Sequence, residues 1–220
     1  MKAIIFGATG LTGSILLEYL LEDDTFQEVL VFSRKELNAQ HQKLQVHICN
    51  LLELEAVKDS IKGDVVFINI GTTLKKTPDK ALYYAIDHGI PSNVARIASA
   101  NGVKRLLVVS SMGADAKSSI FYNRTKGQME LDVLKNGPKE SFIFRPSLID
   151  GPRPERRFAE EFGIAVFRII NVCLVGPFRK YRMVKAEYIS KAMQLVGLKG
   201  YSKPIISSDE IYDIVHTPNN

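Results

Sequence analysis

The first thirteen residues, MKAIIFGATGLTG, constrain the fold of this chain more than any other stretch. The apolar run at 3–6 predicts a strand buried on both faces of a sheet. Gly7, Gly10 and Gly13 follow at three-residue spacing, and the amphipathic run at 14–22 predicts a helix that begins at once. A glycine turn between a strand and a helix N-terminus lets a pyrophosphate approach free N–H groups. We therefore favour a dinucleotide site over an ordinary glycine-rich turn.

Alternating apolar and amphipathic runs continue along the chain. Further strands are predicted at 28–32, 44–48, 64–70, 104–109, 141–145 and 204–206, and helices at 78–100, 121–135, 186–198 and 209–215. Pro91 predicts a kink or a division in the first of these helices. Such alternation predicts an α/β fold, a Rossmann-type doubly wound parallel sheet with helices on both faces. We expect a single domain over 1–220, with a small substrate-side C-terminal portion at about 151–203.

Composition narrows the class of protein. A chain of 220 residues with 45% hydrophobic and 24% charged residues is typical of a globular protein, and its net charge of +5 would suit an anionic cofactor or substrate. The segment 178–185 is a basic cluster with aromatic residues between the charges. We favour a solvated basic face there over nucleic-acid or membrane-surface binding, which stays open as a weaker interpretation.

The cysteines and histidines indicate neither a disulfide framework nor a metal site. Cys49 and Cys173 lie in apolar surroundings, as buried thiols in a reducing compartment do, and the four histidines lack ligand spacing. The N-terminus enters a strand directly, so we expect no signal peptide and a cytoplasmic protein. The apolar run at about 164–175 is too short to span a bilayer and predicts a buried or interface helix, where a homodimer could form.

The residues at the end of the second strand indicate which dinucleotide, NAD(H) or NADP(H), the chain prefers. An NAD-binding unit carries Asp or Glu about twenty residues beyond the glycines, whereas this chain has Ser33 and Arg34. A guanidinium can bind a 2′-phosphate through two charge-assisted hydrogen bonds. The position therefore favours NADP(H) over NAD(H), the alternative being an exposed loop arginine. Asn50, beside Leu51 after the third strand, could reach the adenine amine or simply form a turn.

Small and hydroxyl residues follow the next two strands. Gly71 lets the chain pass close to a nucleotide, and Thr72 and Thr73 could meet ribose or phosphate, or form an ordinary turn. Ser110 and Ser111 end the fifth strand. Because ligands of open parallel sheets bind at the carboxyl ends of the strands, we expect both serines to face the crevice of the glycine turn.

A tyrosine and a lysine four residues apart could perform proton transfer. Tyr122 and Lys126 are neighbours on one face of the predicted helix. An ammonium group stabilises a phenolate, so Tyr122 could exchange a proton near neutral pH. Ser111 could bind the same substrate oxygen, and Lys126 could also donate to the nicotinamide ribose. An accidental surface pair is the alternative.

Four motifs together resemble the short-chain dehydrogenases/reductases: GATGLTG, VVSSMGA, YNRTK at 122–126 and FRPSLIDG after the sixth strand. GTTLKK, SSMGADAKSS and FRPSLIDGPR are similar to the atypical branch of NAD(P)H-binding proteins that includes the Tat-interacting oxidoreductase-like proteins. The resemblance covers about 1–157. This chain departs from the family pattern at three places. Only eleven positions separate Ser111 from Tyr122, Asn50 stands where many relatives have Asp, and Asp87 stands where many have Asn.

The resemblance implies roles for individual residues. Ser111, Tyr122 and Lys126 would be the catalytic triad. The implied cofactor-binding residues, together with those argued above, are Gly7, Thr9, Gly10, Leu11, Thr12, Gly13, Arg34, Asn50, Leu51, Gly71, Thr72, Thr73, Ser110, Tyr122, Lys126, Pro146, Ser147 and Leu148. The region after Gly151 is small for a nucleotide-sugar pocket, which argues against an epimerase or dehydratase.

The leading hypothesis is an NADP(H)-dependent oxidoreductase acting on a small carbonyl or quinone-like substrate. The alternative is a non-catalytic NADPH-sensing regulator that binds a protein partner. Neither hypothesis involves a metal.

Overall fold

The first strand, β1 (Lys2–Phe6), lies at the centre of the molecule. Its four apolar side chains are fully buried. Because side chains alternate between the faces of a strand, Ile4 and Phe6 pack into one core and Ala3 and Ile5 into the other. Helices cover both faces, which explains why this strand is continuously apolar.

The computed structural model describes residues 1–151 and 176–217. The strands after β1 are β2 (Glu28–Ser33), β3 (Leu44–Ile48), β4 (Val65–Ile68), β5 (Arg105–Val109), β6 (Glu140–Arg145), β7 (Ile149–Asp150), β8 (Val184–Lys185) and β9 (Ile205–Ser207). The α-helices are α1 (Leu11–Glu22), α2 (Lys80–Tyr84), α3 (Ile90–Ala100), α4 (Phe121–Asn136), α5 (Ala186–Lys199) and α6 (Ser208–His216).

The described residues form a seven-stranded sheet in the order β3-β2-β1-β4-β5-β6-β9, with every neighbouring pair parallel. Helices α1 and α5 pack on one face, and α3 and α4 on the other. The strand order reverses at β1, which has β2 on one side and β4 on the other. The prediction of a Rossmann-type doubly wound sheet is confirmed, and the carboxyl end of β1 is its topological switch point.

The helix predicted over 78–100 is divided, as Pro91 led us to expect. A π-helical turn, Ala85–Gly89, separates α2 from α3. Pro91 has no N–H, so the carbonyl of Asp87 lacks its ordinary α-helical donor, and the wider turn occurs there. This turn directs the Asp87 side chain into the protein, where it is 1% exposed.

Two short strands were not predicted. Ile149–Asp150 pairs with Val184–Lys185 in a separate parallel ladder, far apart in sequence. Two 3₁₀ turns, Leu54–Ser60 and Gly176–Tyr181, were also missed. Three predicted features lie outside the described residues: the apolar helix at 164–175, Cys173 and much of the substrate-side portion.

Candidate functional site

The glycine turn after β1 depends on close approaches of backbone to backbone. Gly7 has a φ of 90°, and a Cβ added to it would lie 2.5 Å from the Asn69 carbonyl oxygen. A Cβ on Gly13 would overlap the Gly7 carbonyl oxygen. Gly10 precedes α1 and has no side chain to cap it, so the first N–H groups of α1 remain available to an anion. The turn thus has the geometry of a phosphate cradle.

The other predicted residues of this turn differ in their surroundings. Thr9 is exposed, as a residue contacting a ligand can be. The Thr12 carbonyl oxygen accepts a hydrogen bond from the Ser190 hydroxyl at 2.8 Å, which joins α1 to α5. Leu11 packs against Gly151, where an added Cβ would lie 2.8 Å from a Leu11 methyl carbon. Thr12 and Leu11 therefore hold the turn against the C-terminal elements.

The end of β2 presents Arg34 to solvent. The buried Ser33 hydroxyl accepts a hydrogen bond from the Lys35 N–H at 3.2 Å, which shapes the turn around the exposed Arg34. Asn50 forms a turn of its own, because its side-chain oxygen accepts from the Leu52 N–H at 3.1 Å. The neighbouring Leu51 is buried in the core. Because the Asn50 oxygen already accepts this hydrogen bond, we favour a role for Asn50 in forming the turn over a contact with adenine.

A buried ion pair lies between the loop after β4 and helix α4. The Lys126 ammonium is 2.9 Å from Asp87 Oδ1, and the two side chains are 5% and 1% exposed. The Thr72 N–H donates to Asp87 Oδ2 at 2.7 Å. A Cβ on Gly71 would lie 3.5 Å from Asp87 Oδ1 and 3.8 Å from the Lys126 ammonium. Sequence reasoning assigned no role to Asp87, although its departure from the family pattern had marked it.

The loop itself has further hydroxyl contacts. The Thr72 hydroxyl is 2.8 Å from that of the buried Thr77, and the Thr73 hydroxyl accepts from the Lys76 N–H at 3.3 Å. These contacts fold the segment 72–77 back upon itself. They hold the Thr72 N–H toward Asp87.

Tyr83 and Tyr122 lie close enough to interact electrostatically, but they differ in exposure. Tyr122 stands in the first turn of α4 and is 38% exposed. Tyr83 is buried, with its ring edge against Phe121 at 5.4 Å between centroids. Burial, and then the charges of Asp87 and Tyr122, raise the pKa of Tyr83 well above its usual value. Tyr83 therefore stays a neutral phenol, and Tyr122 is the phenol that a ligand can reach.

A second ion pair, between the buried Glu130 and the partly exposed Arg145, lies one turn further along α4. Glu130 is buried and accepts hydrogen bonds from Ser110 Oγ at 2.5 Å and from Arg145 Nε at 2.9 Å. The hydrogen bond to Glu130 raises the pKa of Arg145. The Ser110 hydroxyl is thus directed at α4, in contrast to the expectation that it faces the crevice. Glu130 and Arg145 were not singled out in the sequence.

The short loop from Ser111 to α4 packs tightly on that helix. The Ser111 hydroxyl donates to the Met112 carbonyl oxygen at 3.2 Å, and the Asp115 N–H donates to the Asn123 carbonyl oxygen at 3.0 Å. A Cβ on Gly127 would overlap the backbone at Ala116. Gly127 therefore allows the eleven-residue connection to lie directly against the helix that carries Tyr122 and Lys126.

The segment leaving β6 joins the site to the C-terminal elements. The Pro146 carbonyl oxygen accepts from the Met112 N–H at 2.9 Å, beside Ser111. The Ser147 N–H donates to Ser208 Oγ at 2.6 Å, and the Ser147 hydroxyl donates to the Arg182 carbonyl oxygen. Leu148 is exposed. The backbone of this segment is thereby fixed next to the end of β5.

A separate cavity of about 330 Å³ opens among the C-terminal elements. Its lining carries charges of both signs and two tyrosines: Asp150, Arg179, Arg182, Met183, Val184, Lys185, Tyr188, Ser208, Asp209 and Tyr212. Arg179 forms an ion pair with Asp213 at 2.8 Å. Ser111, Tyr122 and Lys126 do not line this cavity.

A family model described as NAD(P)H-binding matches residues 7–140, which include the glycine turn, the Asp87–Lys126 pair and Tyr122. The chain belongs to this NAD(P)H-binding family. The predicted resemblance to NAD(P)H-binding proteins is confirmed, and a pyridine nucleotide is the class of cofactor.

Curated relatives of this NAD(P)H-binding chain include fungal proteins. It is 31% identical over 162 residues to the mitochondrial protein FMP52 of Candida albicans, covering 70% of each chain. It is 27% identical to the mitochondrial protein FMP52 of Eremothecium gossypii, covering 100% of this chain and 99% of the relative. These names point to mitochondria, so the prediction of a cytoplasmic protein is wrong. The argument from an N-terminal strand and buried thiols did not distinguish the two compartments.

Solved structures share the fold at low identity. The Bordetella bronchiseptica enzyme WbmH in complex with NAD⁺ superposes with a TM-score of 0.71 and 18% identity, covering 94% of this chain and 75% of that one. At this identity the likeness shows the Rossmann fold alone.

Residues 1–151 and 176–217 contain neither a candidate metal site nor a candidate membrane-spanning helix. Within these ranges no group of three or more His, Cys, Asp or Glu side chains could hold a metal ion. The helices that the structure describes there are also too short or too polar to cross a membrane.

Proposed function

We propose that this protein is an NADP(H)-dependent oxidoreductase that reduces a small carbonyl or quinone-like substrate. The main support for the proposal is the arrangement of Tyr122 and Lys126 on α4. The exposed Tyr122 and the buried Lys126 lie one helical turn apart, and Gly71, which has no side chain, lies beside the lysine. All of them stand at the carboxyl end of the parallel sheet, where ligands of this fold class bind.

The residues present fit a pyridine dinucleotide. The backbone around Gly7 and Gly13 leaves no room for a Cβ, and the N-terminus of α1 has free N–H groups for a pyrophosphate. On one side of β1 the exposed Arg34 follows β2, and on the other side Gly71 follows β4. The adenosine half would lie toward Arg34 and the nicotinamide half toward Lys126.

Each member of the predicted triad has a distinct task. Bound NADPH supplies the hydride that the substrate carbon receives. The Tyr122 hydroxyl gives its proton to the substrate oxygen, and a neighbouring ammonium favours the resulting phenolate. The Ser111 hydroxyl, rotated away from the Met112 carbonyl oxygen, would donate a hydrogen bond to the same oxygen and fix its position. The Lys126 ammonium also donates to the nicotinamide ribose.

The preference for NADP(H) rests on Arg34. Ser33, Arg34 and Lys35 stand at the end of β2, where a carboxylate would bind the ribose of NAD(H). The exposed guanidinium is free to turn toward a 2′-phosphate, and Lys35 adds a second positive charge.

NADPH oxidation, followed by absorbance against a panel of aldehydes, ketones and quinones, tests the proposal. We expect turnover by the wild type and its loss in Tyr122→Phe, with NADPH affinity measured on the same samples. Equal turnover by the two proteins would refute the role of Tyr122.

A second candidate function is an NADPH sensor without turnover. It is favoured by the Asp87–Lys126 pair, because the carboxylate balances the positive charge that would stabilise a phenolate. Tight NADPH binding without turnover on any member of the panel would favour the sensor. Binding of a protein partner that depends on NADPH would then support it directly.

A further inference from the structure

We propose that the substrate of this site carries an anionic group, a carboxylate or a phosphate, in addition to the carbonyl that is reduced. The group would meet a basic rim, which we define as the five cationic side chains of the segments 72–84 and 111–124: Lys75, Lys76, Lys80, Lys117 and Arg124. The inference rests on the proposed function, because it takes Tyr122, in the second segment, as the residue that meets the substrate. It adds the charge of that substrate.

Two cations of the basic rim lie against the first turn of α4, which carries Tyr122. Lys80, at the start of α2, has its ammonium 5.7 Å from the centroid of the Phe121 ring. Arg124 has its guanidinium carbon 6.0 Å from the same centroid. One cation from each segment therefore contacts the residue immediately before Tyr122. Contacts of this kind with an aromatic ring leave the positive charge in place.

The other three cations lie on loops that hydrogen bonds hold in shape. Arg124 Nη1 donates to two carbonyl oxygens of the connection after β5, at 2.7 and 3.1 Å, and so holds the connection that carries Lys117 to α4. The loop 72–77, which is folded back upon itself, carries Lys75 and Lys76. These three lysines are exposed, so an approaching ligand meets their charges.

The acidic side chains of the two segments do not neutralise the basic rim. They are only two, Asp79 and Asp115. Asp79 accepts from the N–H groups that begin α2, and Asp115 accepts from the Lys117 N–H at 2.9 Å. Within residues 1–151 and 176–217, neither Lys80 nor Arg124 forms an ion pair with a carboxylate. The surroundings of Tyr122 are thus net positive, and a cleft edged by one sign of charge attracts the opposite charge.

The cofactor does not account for the basic rim. We assign its phosphates to the glycine turn and to Arg34, which follows β2, whereas the rim begins after β4 on the other side of β1. The nicotinamide ring, which we place on the rim's side, carries no phosphate. Exposed apolar side chains, Leu82 and Ile120, stand among the cations and would contact an apolar body. The substrate class is therefore an aldehyde or ketone with an apolar body and one anionic end.

Three benzaldehydes that differ in the para substituent test the proposal on the whole chain with NADPH. They are 4-carboxybenzaldehyde, 4-formylphenyl phosphate and the neutral methyl 4-formylbenzoate. We would measure kcat/KM for each with the wild type, Lys80→Gln, Lys80→Arg and Lys135→Gln. Lys135 is the matched control, because it is an exposed lysine in the last turn of α4, about 20 Å along the helix from Tyr122.

We expect the wild type to reduce at least one anion with a kcat/KM about tenfold or more above that of the neutral ester. Since an ester activates the carbonyl more than a carboxylate does, intrinsic reactivity does not explain such a preference for 4-carboxybenzaldehyde. Lys80→Gln should lower the ratio by about threefold or more, whereas Lys80→Arg and Lys135→Gln should leave it unchanged. Added salt should also lower the ratio, because salt screens exposed charges. The anion that is reduced faster distinguishes a carboxylate from a phosphate.

A change in this ratio separates charge recognition from a structural role of Lys80, because damage to the fold would slow all three aldehydes alike. The ligand control is adenosine 2′,5′-bisphosphate, an anion that lacks the nicotinamide half of NADPH. We expect it to bind on the Arg34 side, so its affinity in a calorimetric titration should be the same for Lys80→Gln and the wild type.

Three results would overturn the proposal. They are equal kcat/KM for the neutral ester and both anions, a ratio that Lys80→Gln leaves unchanged, or an equal fall of the ratio in Lys135→Gln. If none of the aldehydes is reduced, their affinities for the NADPH-bound protein are compared in the same way, and absence of binding overturns the proposal. Reduction of the neutral ester alone would leave the proposed function standing. A protein that binds neither NADPH nor adenosine 2′,5′-bisphosphate would refute the proposed function itself.

Discussion

The glycine turn after β1 and the Asp87–Lys126 pair lie on one edge of the same sheet, but they are built differently. The turn consists of backbone, and its close contacts join Gly13 to Gly7 within the turn and Gly7 to Asn69 at the end of the neighbouring β4. The ion pair consists of side chains from a π-helical turn and from α4, with Thr72 of a third segment as a partner. The glycine spacing of the first is visible in a single short stretch of sequence, whereas the second brings together side chains and backbone from three separate segments.

This difference affects what a substitution can do. In the turn, an added methyl group meets a carbonyl oxygen that cannot move without moving β1. At the ion pair, the loss of one charge leaves the other buried and unpaired, while the backbone can persist. We therefore expect substitutions in the turn to affect folding first, and substitutions beside the ion pair to affect the ligand first.

The largest effect is expected at Gly13. Gly13→Ala places a Cβ on the Gly7 carbonyl oxygen, so the strand or the helix must shift. We expect the free energy of unfolding to fall by on the order of 3 kcal/mol, measured by denaturant titration, together with loss of NADPH binding. Gly10→Ala is the control, because its Cβ would lie 3.4 Å from the same oxygen. It should retain the fold while weakening NADPH binding, and equal destabilisation by both variants would contradict the steric account.

The next effect concerns turnover on the other side of the crevice. Tyr122→Phe removes the exposed hydroxyl but keeps the ring, so the fold and NADPH affinity should persist. We expect turnover to fall by about 100-fold or more, because proton transfer from a positioned group is lost. Tyr83→Phe is the control, since that phenol is buried and neutral. A comparable loss of turnover in Tyr83→Phe would show that the assignment to Tyr122 is wrong.

A smaller and more selective effect is expected at Arg34. Arg34→Ala should weaken NADPH binding by about tenfold while NADH binding changes less than about twofold, because only NADPH carries the 2′-phosphate. Competitive titration of the two nucleotides on one preparation measures both values. Equal losses for the two would remove the case for NADP(H) preference. The exposed position of Arg34 makes a change in stability unexpected.

The fold could be predicted in detail because its signals are local. The β1, β5 and β6 strands each contain a buried run of three or four apolar residues, and their predicted bounds lie within a residue of those observed. Pro91 also indicated the division of the helix, because its missing N–H removes a backbone hydrogen bond from the helical turn that precedes it. The pair β7 and β8 escaped prediction, because two-residue strands carry no periodicity and meet across a long stretch of chain.

The candidate site was predictable only in part. The spacing of Tyr122 and Lys126 shows in the sequence that they share a helix face. The partner of Lys126, Asp87, lies in a π-helical turn, and no local sequence pattern shows which way its side chain points. Ser110 shows the same limit: its place at a strand end suggested the crevice, whereas the pleat directs it to Glu130. Gly127 could have been noticed as a glycine inside a helix, which is unfavourable unless another backbone approaches closely.

The smallest effect is expected at Gly71, the counterpart of Gly13 beside the ion pair. A Cβ there would make ordinary contacts, 3.5 Å from Asp87 Oδ1 and 3.8 Å from the Lys126 ammonium. Gly71→Ala should therefore change the free energy of unfolding by less than about 0.5 kcal/mol. The methyl group fills space that we assign to the nicotinamide half, so NADPH affinity should fall about threefold while adenosine 2′,5′-bisphosphate binds as before. If Gly71→Ala instead unfolded the protein as Gly13→Ala does, both sides of the crevice would depend on backbone packing, and the contrast between them would be lost.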